Sequence, residues 1–226
     1  MRYVRSLALA GAIVVTMAGS LHAAPLTFVN VSAPGIYCVF NVTCTVTVTD
    51  TVDTIVVPPA LWSGTGRLQS RTFIGAAGSP AAGKTAYEYR VDMSQAVSDG
   101  EVPCVTSIDV DFGPLTKLQY NKVGALADVF VVTKGGLGNV GLYAVEQNGS
   151  VISFTFNEPV CAGASPGKGD SSYFFGLTSA NPPKLIVAYA NVPGLEPIDV
   201  KARAPGSPPP AVVGPVRLRS PVVQFR

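Results

Sequence analysis

Several short stretches of this chain carry residue types that do chemistry elsewhere. Asp109 and Asp111 place two carboxylates on one face of an extended segment, with Asp99, Glu101 and Asp128 as further oxygen donors. That is the beginning of a calcium site. Calcium takes roughly six to eight oxygens and the Asp-x-Asp pair supplies only two, so a solvated strand face accounts for the pair more simply. Paired carboxylates are also the material of a glycosidase, although nothing here selects one acid and one base. Trp62, the only tryptophan, and Tyr37 and Tyr143 supply rings that stack on sugars. A lone tryptophan equally well fills a gap in a core.

Two glycine motifs have the spelling of phosphate-binding loops. Residues 78–85, GSPAAGKT, match GxxxxGK[ST], and residues 136–141, GLGNVG, match GxGxxG. Both motifs work by aiming the amides at a helix N-terminus towards phosphate, so both require a helix to follow. Here residues 86–93 and 142–146 alternate as strands, which predicts glycine-rich turns and no nucleotide site. Residues 169–172, GDSS, have the look of a hydrolase serine block but lead into another strand segment.

The N-terminus reads as a secretory signal peptide. Arg2 and Arg5 precede an apolar run over residues 7–19, and Leu21-His22-Ala23 sets up a cut before Ala24. The run is shorter than the ~20 residues of a membrane span. Cleavage removes His22, the only histidine, and with it any Ser-His-Asp or Cys-His mechanism and any His-ligated zinc or copper site. It also takes Lys plus Arg from 16 to 14, level with the 14 acidic residues, so the mature chain lacks the positive charge that nucleic acid requires. Four cysteines, Cys38, Cys44, Cys104 and Cys161, are an even set in an exported chain and point to disulfides. Of the three pairings, Cys38–Cys44 with Cys104–Cys161 is preferred. The first closes a local loop, and the second ties segments far apart in sequence.

The elements that must position these residues are strands. At 47% hydrophobic and 13% charged, the chain has ample apolar surface for a core. No stretch sustains a 3.6-residue apolar period. Strands are predicted over residues 26–31, 36–40, 44–49, 54–57, 67–74, 87–93, 105–112, 128–133, 140–146, 151–156, 172–177, 185–192 and 198–204, with a weaker one over 117–122. Residues 36–40 and 44–49 read as a hairpin around Asn41-Val42-Thr43, because threonine at odd positions alternates with Cys44, Val46 and Val48. Asn148-Gly149 marks a second, tight hairpin. Residues 128–133 form a continuous apolar run, expected of a central strand. Many one-faced strands at regular spacing predict an all-β, two-sheet antiparallel sandwich, jelly-roll-like in its path. The expected division is a signal peptide over 1–23, the sandwich over 24–205 and a Pro-rich flexible tail over 206–226.

Residues 104–108 (CVTSI), 129–141 (VFVVTKGGLGNVG), 149–161 (GSVISFTFNEPVC), 172–179 (SYFFGLTS) and 200–205 (VKARAP) together give the second half of the mature chain a resemblance. It resembles bacterial exported β-sandwich domains of unknown function found in surface proteins of the PEP-CTERM type. The resemblance implies export and a sandwich fold, and it names no chemistry. The chain departs from that pattern in ending without an apolar anchor and terminal basic cluster. In a bacterial chain the three sequons at Asn30, Asn41 and Asn148 are expected to go unused.

These readings converge on a secreted, non-enzymatic module of the envelope or extracellular matrix, periplasmic or extracellular, without cofactor unless Asp109 and Asp111 hold calcium. The expected partner is a cell-surface glycan or matrix protein, with no nucleic acid, no nucleotide and no transmembrane anchor in the mature chain. A carbohydrate-binding module using Trp62, Tyr37 and Tyr143 is the second reading, and a carboxylate-based hydrolase the third.

Overall fold

The computed structural model describes residues 23–56, 62–98, 100 and 102–206, with Trp62 described by its backbone alone. The proposed signal peptide up to residue 22, the tail from 207 onward, Asp99 and Glu101 lie outside the described residues. Among the described residues there are twelve strands and one short helix: β1 (Ala24–Pro25), β2 (Phe28–Ser32), α1 (Tyr37–Phe40), β3 (Thr49–Ile55), β4 (Trp62–Ile74), β5 (Thr85–Ser98), β6 (Cys104–Asp111), β7 (Val129–Lys134), β8 (Leu142–Asn148), β9 (Val151–Cys161), β10 (Phe174–Ser179), β11 (Pro183–Asn191) and β12 (Ile198–Pro205).

The strands form two packed six-stranded sheets. The first has the order β1-β8-β9-β6-β11-β12 and the second β2-β7-β10-β5-β4-β3. After a β3-β4-β5 meander the chain passes repeatedly from one sheet to the other. Among the described residues every pairing between strands is antiparallel except one: β2 runs parallel to β7, from Phe28 opposite Val129 to Val31 opposite Val132. This corrects the purely antiparallel expectation. The cause is that residues 24–32 cross between sheets, pairing with β8 in one and β7 in the other. Leu26 donates its N–H to the Val145 carbonyl and Asp128 donates to that of Thr27.

The described residues form two apolar cores. The larger lies between the sheets, where Phe154 and Phe175 meet at 4.8 Å between ring centres and Tyr89 packs alongside. The buried Tyr89 hydroxyl donates to the Arg203 carbonyl at 2.7 Å, so its polar end is satisfied across the sandwich. The smaller core lies on the outer face of the second sheet, under α1. β7 therefore buries both faces: Val129 and Val131 enter the large core, Phe130 and Val132 the small one. That is the physical reason for its unbroken apolar run.

The sequence-predicted hairpin at residues 36–49 is not formed. Residues 37–40 are the helix α1, residues 41–48 are irregular, and β3 begins only at Thr49. Ile36, Val39 and Phe40 are all buried, and their spacing of three and four is that of one helical face, a signal masked by the neighbouring threonine alternation. The weaker strand at 117–122 reduces to a single bridge, Leu118 to Ala127. The tight hairpin at Asn148-Gly149 is present, with Gly149 at φ 61°.

Both disulfides pair as expected, Cys38 with Cys44 and Cys104 with Cys161. The second links directly opposed residues at one end of the β6–β9 ladder.

Candidate functional site

The outer face of the second sheet carries a row of charge across three neighbouring strands. Asp50 on β3 lies opposite Arg71 on β4, which lies opposite Glu88 on β5, which lies opposite Gly176 on β10. Neighbouring strands are spaced at about 4.8 Å, so each side chain in such a row stands within reach of the next. Arg71 Nε donates to Asp50 Oδ1 at 3.0 Å, and the Arg71 guanidinium stacks over the Phe174 ring at 4.2 Å. Gln69 holds the same Asp50 oxygen at 3.2 Å.

Glu88 is only 1% exposed, and its Oε1 has no hydrogen-bond partner. Burial pushes its carboxyl up to about 7; Arg71 opposes the shift and Asp50 adds to it. A buried carboxyl left without a partner is costly, and such groups concentrate where something binds. Above it lies a cavity of about 190 Å³, lined by Tyr37, Arg71, Glu88 and Phe174 together with Leu137 and the Gly135-Gly136 turn. At Gly176, opposite Glu88 in the ladder, a Cβ would overlap the Tyr87 carbonyl and the Phe130 ring. Gly135, at φ 68°, brings the β7–β8 turn against Ala33, where a Cβ would lie 2.7 Å from the carbonyl oxygen.

Tyr37, expected from the sequence as a sugar platform, stands at this cavity. It is half-buried, meets the Phe73 ring edge-on at 5.9 Å, and has its hydroxyl pushed up chiefly by burial and by Glu88. Tyr143 does not join it: it is 75% exposed on β8, in the other sheet. The Trp62 side chain lies outside the described residues. Asp109 and Asp111 stand on β6 in the other sheet, where Asp109 accepts from Asn191 Nδ2 at 2.9 Å. Among the described residues no three His, Cys, Asp or Glu groups gather to hold a metal. Both glycine motifs lead into strands, β5 and β8, without the helix that phosphate binding needs.

Glu88 and Arg71 were not singled out from sequence, because Glu88, Arg90 and Asp92 alternate with Tyr87, Tyr89 and Val91 as a solvated face would. The signal that this face is covered lay elsewhere, in the double-sided apolar character of β7 and β10.

A larger depression of about 340 Å³ beside the Cys104–Cys161 disulfide is lined by groups such as Val102, Pro103, Thr106 and Leu195 and, among the described residues, holds no ionisable side chain. It offers area without directed chemistry. The Glu88 cavity offers an acceptor, a donor and two rings.

No protein-family model, curated protein or solved structure matches the chain.

Proposed function

We propose that this chain is an exported, non-catalytic interaction module of a bacterial envelope or extracellular matrix. The observation that carries the reading is the pair of disulfides in a fold with no free cysteine among its described residues, as in proteins that mature in an oxidising compartment. Among the described residues no helix is long and apolar enough to cross a membrane. The leader at residues 1–23, the Pro-rich tail and the kinship with PEP-CTERM-type surface domains belong to the same proposal.

The test is expression of the full chain in a Gram-negative host. The expected result is an oxidised protein outside the cytoplasm whose N-terminus is Ala24, and which co-sediments with cell envelopes. Retention of the leader, or reduced protein confined to the cytoplasm, overturns it.

Carbohydrate binding is the second reading. It is favoured by Tyr37, which stands with a guanidinium and an unpartnered carboxyl at one cavity. The carboxylate-hydrolase reading gains no support from Asp50, the other carboxylate of the row, since Arg71 and Gln69 already hold it.

A further inference from the structure

We propose that the cavity above Glu88 is a subsite for a single neutral sugar unit, with Glu88 and Arg71 as its hydrogen-bonding pair and Tyr37 as its apolar wall. The inference rests on the interaction-module reading and names the ligand class that the cavity above Glu88 takes.

Three observations select that class. Glu88 Oε1 is buried without a partner, while the carboxyl lines the cavity, so that oxygen calls for a hydrogen-bond donor from a ligand. The Arg71 charge is already answered by Asp50 at 3.0 Å, so its remaining N–H groups offer donors without an uncompensated positive charge. A free anion therefore gains little from Arg71 and, once Glu88 ionises at about pH 7, meets it as a like charge. A free ammonium meets Arg71, with Arg90 also within 5.8 Å of the same Phe174 ring. A neutral group with adjacent hydroxyls both donates to Glu88 and accepts from Arg71, and its C–H face suits Tyr37, Phe174 and Leu137. At about 190 Å³ the cavity is below the roughly 300–1,000 Å³ of drug-sized sites, which limits it to one ring of a glycan.

The experiment is ligand-observed NMR on the exported full chain with glucose, galactose, mannose and N-acetylglucosamine. Acetate and ethanolamine serve as charged probes. The expected result is millimolar binding of at least one neutral sugar, weakened at least tenfold in Glu88→Leu and in Arg71→Met. Glu88→Gln, which keeps the shape and the acceptor, is expected to bind within a few-fold of the parent. Glu88→Leu removes an unpartnered polar group, so it is expected to fold, and circular dichroism checks this. Binding of acetate or ethanolamine in place of the sugars, no binding by any sugar, or undiminished binding by Glu88→Leu overturns the proposal. Envelope co-sedimentation of the same variants separates the two readings. If Glu88→Leu still sediments while no sugar binds, the subsite fails and the module stands.

Discussion

Thr27 clasps Asp128: its backbone N–H and its hydroxyl both donate to Asp128 Oδ2, at 2.9 and 2.8 Å, and Lys117 Nζ approaches the same oxygen at 3.1 Å. Asp128 is 2% exposed and ends the loop that leads into β7. Residues 24–32 are thus fastened to the body of the fold where they pass from one sheet to the other. Burial alone would raise the Asp128 carboxyl, but the two Thr27 bonds and Lys117 outweigh it and hold it below its usual value.

A first prediction follows from the sign of that shift. A carboxyl held low in the folded state contributes stability above its unfolded value, lost as pH falls through the folded one. Asp128→Ala is expected to cost about 2 kcal/mol at pH 7, because it removes two hydrogen bonds from Thr27 to a charged carboxylate. The cost should shrink in acid. Urea denaturation at pH 7 and pH 3 measures this, and hydrogen exchange should show residues 24–32 loosening first.

Glu88 carries the opposite sign. Its carboxyl is raised to about 7 in the folded chain, so the folded state holds a proton that the unfolded state releases from about pH 4.5 upward. Stability should be fullest below that range and fall as pH rises towards and through 7, by up to about 3 kcal/mol. Glu88→Leu should flatten the fall, and at pH 8 it should be more stable than the parent. Denaturant titrations from pH 4 to 8 on both proteins test it. An unchanged slope in the variant would show that the titrating group is another.

Gly176 faces Glu88 across the β5–β10 ladder with no room for a side chain. Gly176→Ala is expected to destabilise by about 1–3 kcal/mol through overpacking against the Tyr87 carbonyl and the Phe130 ring. Thermal melts measure the effect.

The two disulfides should differ in worth. Cys104 and Cys161 are 57 residues apart and Cys38 and Cys44 only 6. Loop-closure entropy assigns about 4 kcal/mol to the first and about 2 kcal/mol to the second. Double serine variants of each pair, compared by urea midpoint, should rank in that order.

Most of the strand plan was legible because one-faced strands announce themselves by alternation, as β5 and β6 do, and because Asn148-Gly149 fixes a hairpin locally. What escaped were features that depend on a second layer. The outer core under α1 breaks the simple rule of one buried and one wet face. It turned Ile36–Phe40 from strand into helix, and it hid Glu88 beneath a cover that no local pattern around residue 88 reveals. The parallel β2–β7 pair escaped for a related reason: partners about a hundred residues apart leave no trace in either segment's own periodicity. Of the candidate site, only Tyr37 was marked in advance, by residue type and not by placement.

In the first sheet β1 lies at one margin and β12 at the other, and five antiparallel steps separate them. An odd number of reversals sets Ala24 and Pro205 at the same end of the sandwich, while Cys104 and Cys161 stand at the opposite end. A support joined to the chain beyond Pro205 would therefore meet the sandwich at the end away from the bridged cysteines.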